Sequence, residues 1–274
     1  MAQADNSDAL FWRHWRRETD PSIGTLLCVP GLQEHSGRYE SLAAAACKAG
    51  LDVLAVDLYG HGRSPGRRGH MRDFTGDHLR AVDEMMSGAD EAGLDAPRYL
   101  LGHSLGGLIV ARWAQLHLGE GQVAGLILMT PFIAPQIHVA GWKRFVAFAL
   151  SGLMPGFTLP TEIRDKDLFR DPVDEAAFAS DPLVQRRISA GHWVAMGREQ
   201  QRLIDSAAEL RVPVLLQIAV EDRIADSNAT KALGHLLSDV TIVEYEEAFH
   251  PLHADPVSRQ VFEDLIGWVR KQAP

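Results

Sequence analysis

Short, mostly apolar runs recur along this chain at residues 25–29, 51–57, 99–101, 126–130, 214–220 and 241–245, each stopping at a glycine, a proline or an acidic turn. A strand that is apolar all along its length is buried on both faces, as happens in a parallel sheet covered by helices on either side. Helical spacing of apolar residues fills the intervals at 39–49, 78–89, 108–118, 227–237 and 256–270. Residues 10–16 alternate aromatic and basic side chains and read as an edge strand. Strands alternating with helices define an α/β, doubly wound, mostly parallel sheet.

The rhythm breaks once. Residues 132–205 carry no clear strand but hold Trp142, Phe145, Phe148, Leu153 and Phe157. The stretch is too long for a structureless loop. It reads as a helical cap inserted over the ligand-binding edge of the sheet, dividing the core into 1–131 and 206–274. Its apolar segment 145–157 either packs on the cap and core or offers transient contact to a lipid surface.

The third core run leads into Gly102-His103-Ser104-Leu105-Gly106, and a helical pattern follows. A G-x-S-x-G sequence between a strand and a helix is the nucleophile elbow: small neighbours let strand and helix approach, and the helix N-terminus faces the serine. Ser104 is therefore the candidate nucleophile. A serine hydroxyl needs a base, and the base needs an orienting acid; in an elbow-bearing fold these follow in the order Ser, acid, His. The acid is sought after the run 214–220. Asp222 is the first choice there, with Glu221 and Asp226 as alternatives, and Asp226 also suits a helix N-cap. The base is sought after 241–245, where His250 lies nearest the strand and His253 follows. His103 and His61 have simpler roles in packing and loop shaping. An oxyanion needs two backbone donors, expected at Leu105 and, from the first loop, Leu32.

These segments resemble the α/β-hydrolase fold and, within it, the monoacylglycerol lipase and lysophospholipase group. The resemblance rests on residues 31–39 (Gly-Leu-Gln-Glu-His-Ser-Gly-Arg-Tyr), 57–64, the elbow with Gly107, Glu221-Asp222-Arg223 and Phe249-His250-Pro251-Leu252-His253; Asp181-Pro182-Leu183-Val184 is similar to bacterial members. It implies a Ser104–His250–Asp222 triad, oxyanion donors at Leu32 and Leu105, and a polar head-group pocket at Glu34, Arg38 and His253. The chain departs from the usual pattern at Pro30, where a histidine is usual, and at Leu32 and Gln33, where smaller residues are usual. The implied reaction is hydrolysis of a single-chain ester such as a monoacylglycerol. A lysophospholipase, a general carboxylesterase or an amidase would use the same triad, and a non-catalytic binding protein on this fold is a remote alternative.

Bulk properties narrow the rest. A net charge of −9 argues against a broad nucleic-acid-binding face, and Arg67-Arg68 and Lys143-Arg144 are too short to change that. Two cysteines, Cys28 and Cys47, make no disulfide framework and suit buried positions. Residues 1–8 lack the apolar stretch of a signal peptide, so the expectation is a cytoplasmic protein. Neither a metal nor an organic cofactor is expected, and the expected partner is a small lipid-like ester.

Overall fold

A computed structural model describes residues 9–71, 73–117, 123–137 and 139–272. Residues 1–8 and the side chains of Lys143 and Arg144 lie outside that description. In chain order the first half of the core holds β1 (Trp12–Trp15), β2 (Gly24–Val29), α1 (Glu40–Lys48), β3 (Leu51–Val56), α2 (Arg80–Glu91), β4 (Arg98–His103), α3 (Leu105–Leu116) and β5 (Gly125–Met129). The intervening segment holds α4 (Gly141–Leu153), β6 (Thr158–Pro160), α5 (Asp165–Leu168), α6 (Pro172–Ser180), β7 (Arg187–Ser189) and α7 (Ala190–Asp205). The core resumes with β8 (Val214–Ala219), α8 (Ser227–Leu236), β9 (Val240–Tyr245) and α9 (Ser258–Gln272).

Among the described residues the core strands form one seven-stranded sheet in the order β1-β3-β2-β4-β5-β8-β9. β1 pairs antiparallel with β3 at one edge, and the other pairs are parallel. Period-two alternation sends Leu27, Val29, Leu54 and Leu100 to one apolar cluster and Leu26, Cys28, Val53 and Leu101 to the other. The first cluster packs under α2 and α3, the second under α1 and α9. This two-sided burial is why the strands read as unbroken apolar runs. Helix α2 begins later than its apolar pattern, because residues Phe74–Leu79 form a π-helical turn capped by Asp73.

The segment between β5 and β8 is more than helical. β6 and β7 pair antiparallel into a two-stranded ribbon. Strands of three residues are too short to show alternation, so the sequence carries no signal for them. Helix α4 leaves Trp142, Phe145, Phe148 and Leu153 exposed. No helix among the described residues is long and apolar enough to cross a membrane.

Candidate active site

The site lies at the carboxyl ends of the parallel strands, where open α/β sheets bind ligands. Ser104 follows β4 directly, with φ 53° and ψ −118°. A non-glycine residue in that region carries on the order of 1–3 kcal/mol of strain. Neighbouring backbone holds it there: Ser104 N–H donates to the Met129 carbonyl at 3.1 Å, and the Ser104 carbonyl accepts the Phe132 N–H at 3.0 Å. The flanking glycines are needed for clearance. A Cβ on Gly102 would lie 2.2 Å from the Gly106 carbonyl oxygen, and one on Gly106 would lie 2.0 Å from that of Val29. Leu105 opens α3, so its N–H belongs to the first-turn donors that have no partner within the helix.

His250 Nδ1 lies 2.7 Å from Asp222 Oδ2. The other carboxylate oxygen of Asp222 accepts the N–H groups of Ile224 at 2.7 Å and Ala225 at 2.9 Å. The carboxylate is thus aimed by its own loop. Because a carboxylate only accepts, His250 Nδ1 is the nitrogen that donates to Asp222. The His250 carbonyl is held by Thr130 Oγ1 at 2.8 Å and by His103 Nε2 at 3.2 Å. Thr130 was absent from the sequence-based candidates, and nothing in its local pattern marks it. Asp226 caps α8 through the N–H groups of Asn228 and Ala229, and Glu221 is exposed.

Ser104, Leu32 and Leu105 all line one cavity of about 380 Å³. Its wall is mainly apolar, with Leu32 and Leu105 from the core and Phe132, Ile137, Leu159, Ile188, Trp193 and Met196 from the segment between β5 and β8. Thr161, Glu162 and Ser189 add polar groups.

Glu34, Arg38 and His253 are not among the residues lining this cavity, and neither are His250 and Asp222. Glu34 is 6% exposed, and its Oε2 accepts the Gly31 N–H at 3.0 Å, the Tyr39 hydroxyl at 2.9 Å and His103 Nδ1 at 2.8 Å. Its Oε1 lies 3.1 Å from His253 Nε2 and 4.0 Å from Arg38 Nε. Burial alone would raise the Glu34 carboxyl, but the adjacent His103 and His253 outweigh it and hold it well below the usual range. Arg38 packs over the Phe178 ring at 4.7 Å, and His253 stacks on Tyr39 at 4.6 Å. Glu34 Oε2 thus ties Gly31, Tyr39 and His103 together, while Arg38 Nε and both His253 nitrogens are buried without a hydrogen-bond partner among the described residues. His61 Nε2 meets the Leu32 carbonyl at 2.6 Å, and Asp57 accepts the N–H groups of Ser36 at 2.6 Å and Arg63 at 2.7 Å.

Glu34, His103 and His253 also come close enough to face a common ion. The hydrogen bonds that Glu34 receives from a backbone N–H, a hydroxyl and an imidazole all fall on Oε2, and Oε1 has the 3.1 Å approach of His253 Nε2.

A parallel sheet, a strained serine at a helix N-terminus and a late His–Asp pair define an α/β-hydrolase of the serine ester hydrolase class. The chain belongs to the family described as Serine aminopeptidase, S33, which matches residues 20–257, and within it to the monoacylglycerol lipase-like group. It is 34% identical over 275 residues to the monoglyceride lipase of Homo sapiens, covering 96% of this chain and 87% of that one. The crystal structure of Paleococcus ferrophilus monoacylglycerol lipase superposes with a TM-score of 0.87 at 30% identity, covering 96% of this chain and 99% of that one. An uncharacterized abhydrolase domain-containing protein of Dictyostelium discoideum is 29% identical over 270 residues, and there the chain spans only 28% of its relative.

Proposed function

We propose that this chain hydrolyses esters of a single acyl chain, with monoacylglycerol as the substrate that suits it best, through an acyl-enzyme on Ser104. The observation that carries the reading is the 2.7 Å contact between His250 Nδ1 and Asp222, whose own loop contributes Ile224 to the apolar cavity that Ser104 lines. His250 Nε2 takes the Ser104 proton as Oγ attacks the ester carbonyl. The carbonyl oxygen becomes an oxyanion and is held by the N–H groups of Leu32 and Leu105. His250 then gives the proton to the leaving alcohol. Water, activated by the same imidazole, attacks the acyl-enzyme and releases the fatty acid. Each step uses only protein groups and water.

The apolar wall suits an alkyl chain, and the likeness to the human monoglyceride lipase and the Paleococcus monoacylglycerol lipase supports the same reading. Thr161, Glu162 and Ser189 supply the cavity's polar contacts for a hydroxylated head. The exposed Trp142, Phe145, Phe148 and Leu153 of α4 form an apolar face of the kind that meets a lipid surface, so we assign the cap a transient role in collecting substrate there.

The test is a hydrolysis panel in which one acyl chain is carried on glycerol, phosphocholine and amide heads. The glycerol ester should be turned over fastest. Preference for the lysophospholipid or the amide would overturn the substrate assignment and leave the nucleophile untouched. Ser104→Ala should abolish turnover and labelling by a fluorophosphonate.

A further inference from the structure

The loop that carries Leu32 is joined to the cap by two amide side chains. Gln185 lies between α6 and β7 and is 3% exposed. Its Nε2 donates to the Leu32 carbonyl at 2.7 Å, and its Oε1 accepts the Arg187 N–H at 2.9 Å. The second bond decides which end of the amide faces Leu32. The same carbonyl lies 2.6 Å from His61 Nε2, which is itself 3.2 Å from Gln185 Nε2. On the other side of Leu32, the Gly31 N–H is held by Glu34 at 3.0 Å. The Leu32 N–H thus sits between two anchored peptide groups, one fixed by the core and one fixed partly by the cap. Gln33, the next residue, donates to Thr161 of the cap as a second tie.

We propose that Gln185 is a positioning residue for the oxyanion hole: the cap, through this one amide, sets the Leu32 peptide at the distance catalysis needs. The inference rests on the reading of Leu32 N–H as an oxyanion donor. Such donors act because they are preorganised at about 2.7–3.1 Å from the oxyanion, and misplacement by about 1 Å costs on the order of a hundredfold in rate. The consequence is that cap and oxyanion hole move together. A cap displaced from the core leaves the serine and its base intact but the hole misaligned.

The experiment compares wild type with Gln185→Leu on p-nitrophenyl acetate, on a long-chain p-nitrophenyl ester, and in binding a trifluoromethyl ketone, whose adduct places an oxyanion in the hole. The expected result is a fall in kcat of roughly 10- to 100-fold on both esters. KM should stay within about twofold, and ketone affinity should weaken by the same factor as kcat. Acetate makes little use of the cap wall, so a role confined to cap structure would spare it. Unchanged acetate turnover and ketone affinity, or a loss seen only as raised KM on the long ester, would overturn the proposal. If Gln185→Leu does not fold, Gln185→Glu at pH 8 serves instead, because it keeps the acceptor for Arg187 and removes the donor to Leu32. Ser104→Ala is assayed in parallel. Retained activity there would defeat the triad reading itself, whereas an inactive Ser104→Ala beside a wild-type-like Gln185 variant defeats only this inference.

Discussion

Glu34 Oε2 lies 2.8 Å from His103 Nδ1, inside the protein, and this contact ties the loop at Gly31 to the elbow at Ser104. The opposite nitrogen of the same ring reaches the carbonyl of His250 at 3.2 Å. Through His103, one carboxylate therefore links the loops at Gly31, Ser104 and His250. Breaking a buried pair by neutralising one partner costs about 3–5 kcal/mol. Glu34→Gln is expected to lower thermal stability by that order and to reduce hydrolysis of acetate and monoacylglycerol esters alike. Thermal melts with both assays check this. A loss confined to monoacylglycerol would put Glu34 at the head group instead.

Asp222 Oδ2 accepts the Nδ1 proton of His250 at 2.7 Å. Asp222→Asn keeps the shape but presents a donor where an acceptor is needed. We expect kcat to fall by about 10⁴-fold with little change in folding stability, read from single-turnover kinetics. Asp226→Asn, at the N-cap of α8, should leave kcat near wild type.

Acid sensitivity should trace to a histidine pair between the π-helical turn before α2 and helix α7. His78 Nε2 and His192 Nε2 are 3.1 Å apart and both rings are buried. Burial, and then neighbouring imidazoles, depress both groups, His192 to about 3 and His78 well below its ordinary value. Both stay neutral in the folded chain, while the unfolded chain takes up protons near pH 6.5. Their contribution to stability is complete above about pH 6.5 and is lost as pH falls from there toward about 3. Each such proton adds a slope of about 1.4 kcal/mol per pH unit. His192→Gln should flatten the fall in Tm between pH 6.5 and 4. An unchanged acid slope would remove the pair as its source.

The apolar face of α4 predicts a separable effect. Full burial of one large apolar side chain is worth about 1.5–3 kcal/mol. Replacing Phe145 and Phe148 by serine should weaken partition onto phospholipid vesicles by at least tenfold and leave turnover of a soluble acetate ester unchanged. Co-sedimentation with vesicles reads the first, and a spectrophotometric assay the second. Equal vesicle binding by the variant would count against membrane contact through this helix.

How much of this could be read without coordinates depends on the range over which each feature is set. The strands were legible because two-sided burial writes itself as an apolar run, as in Leu26-Leu27-Cys28-Val29. The elbow was legible because a tight strand-to-helix turn needs glycine at positions 102 and 106, which is a local steric demand. The ribbon of β6 and β7 was hidden because three residues show no period. Gln185 and Thr130 were hidden because their partners lie 153 and 120 residues away and their residue types are ordinary. The direction in which Glu34, Arg38 and His253 face was equally hidden, since a motif preserves residue type and spacing but not the side of the loop that meets the cavity.

Burial period and glycine sterics act between near neighbours, so residue order was enough to set the parallel α/β core, the place of the serine turn and the order of candidate acid and base. Which carboxylate meets His250, the inward turn of Glu34 and the bond from Gln185 to the Leu32 carbonyl were settled only in three dimensions. Those are hydrogen-bond pairings between segments far apart in the chain, and only closure of the fold brings their donors and acceptors within 3 Å.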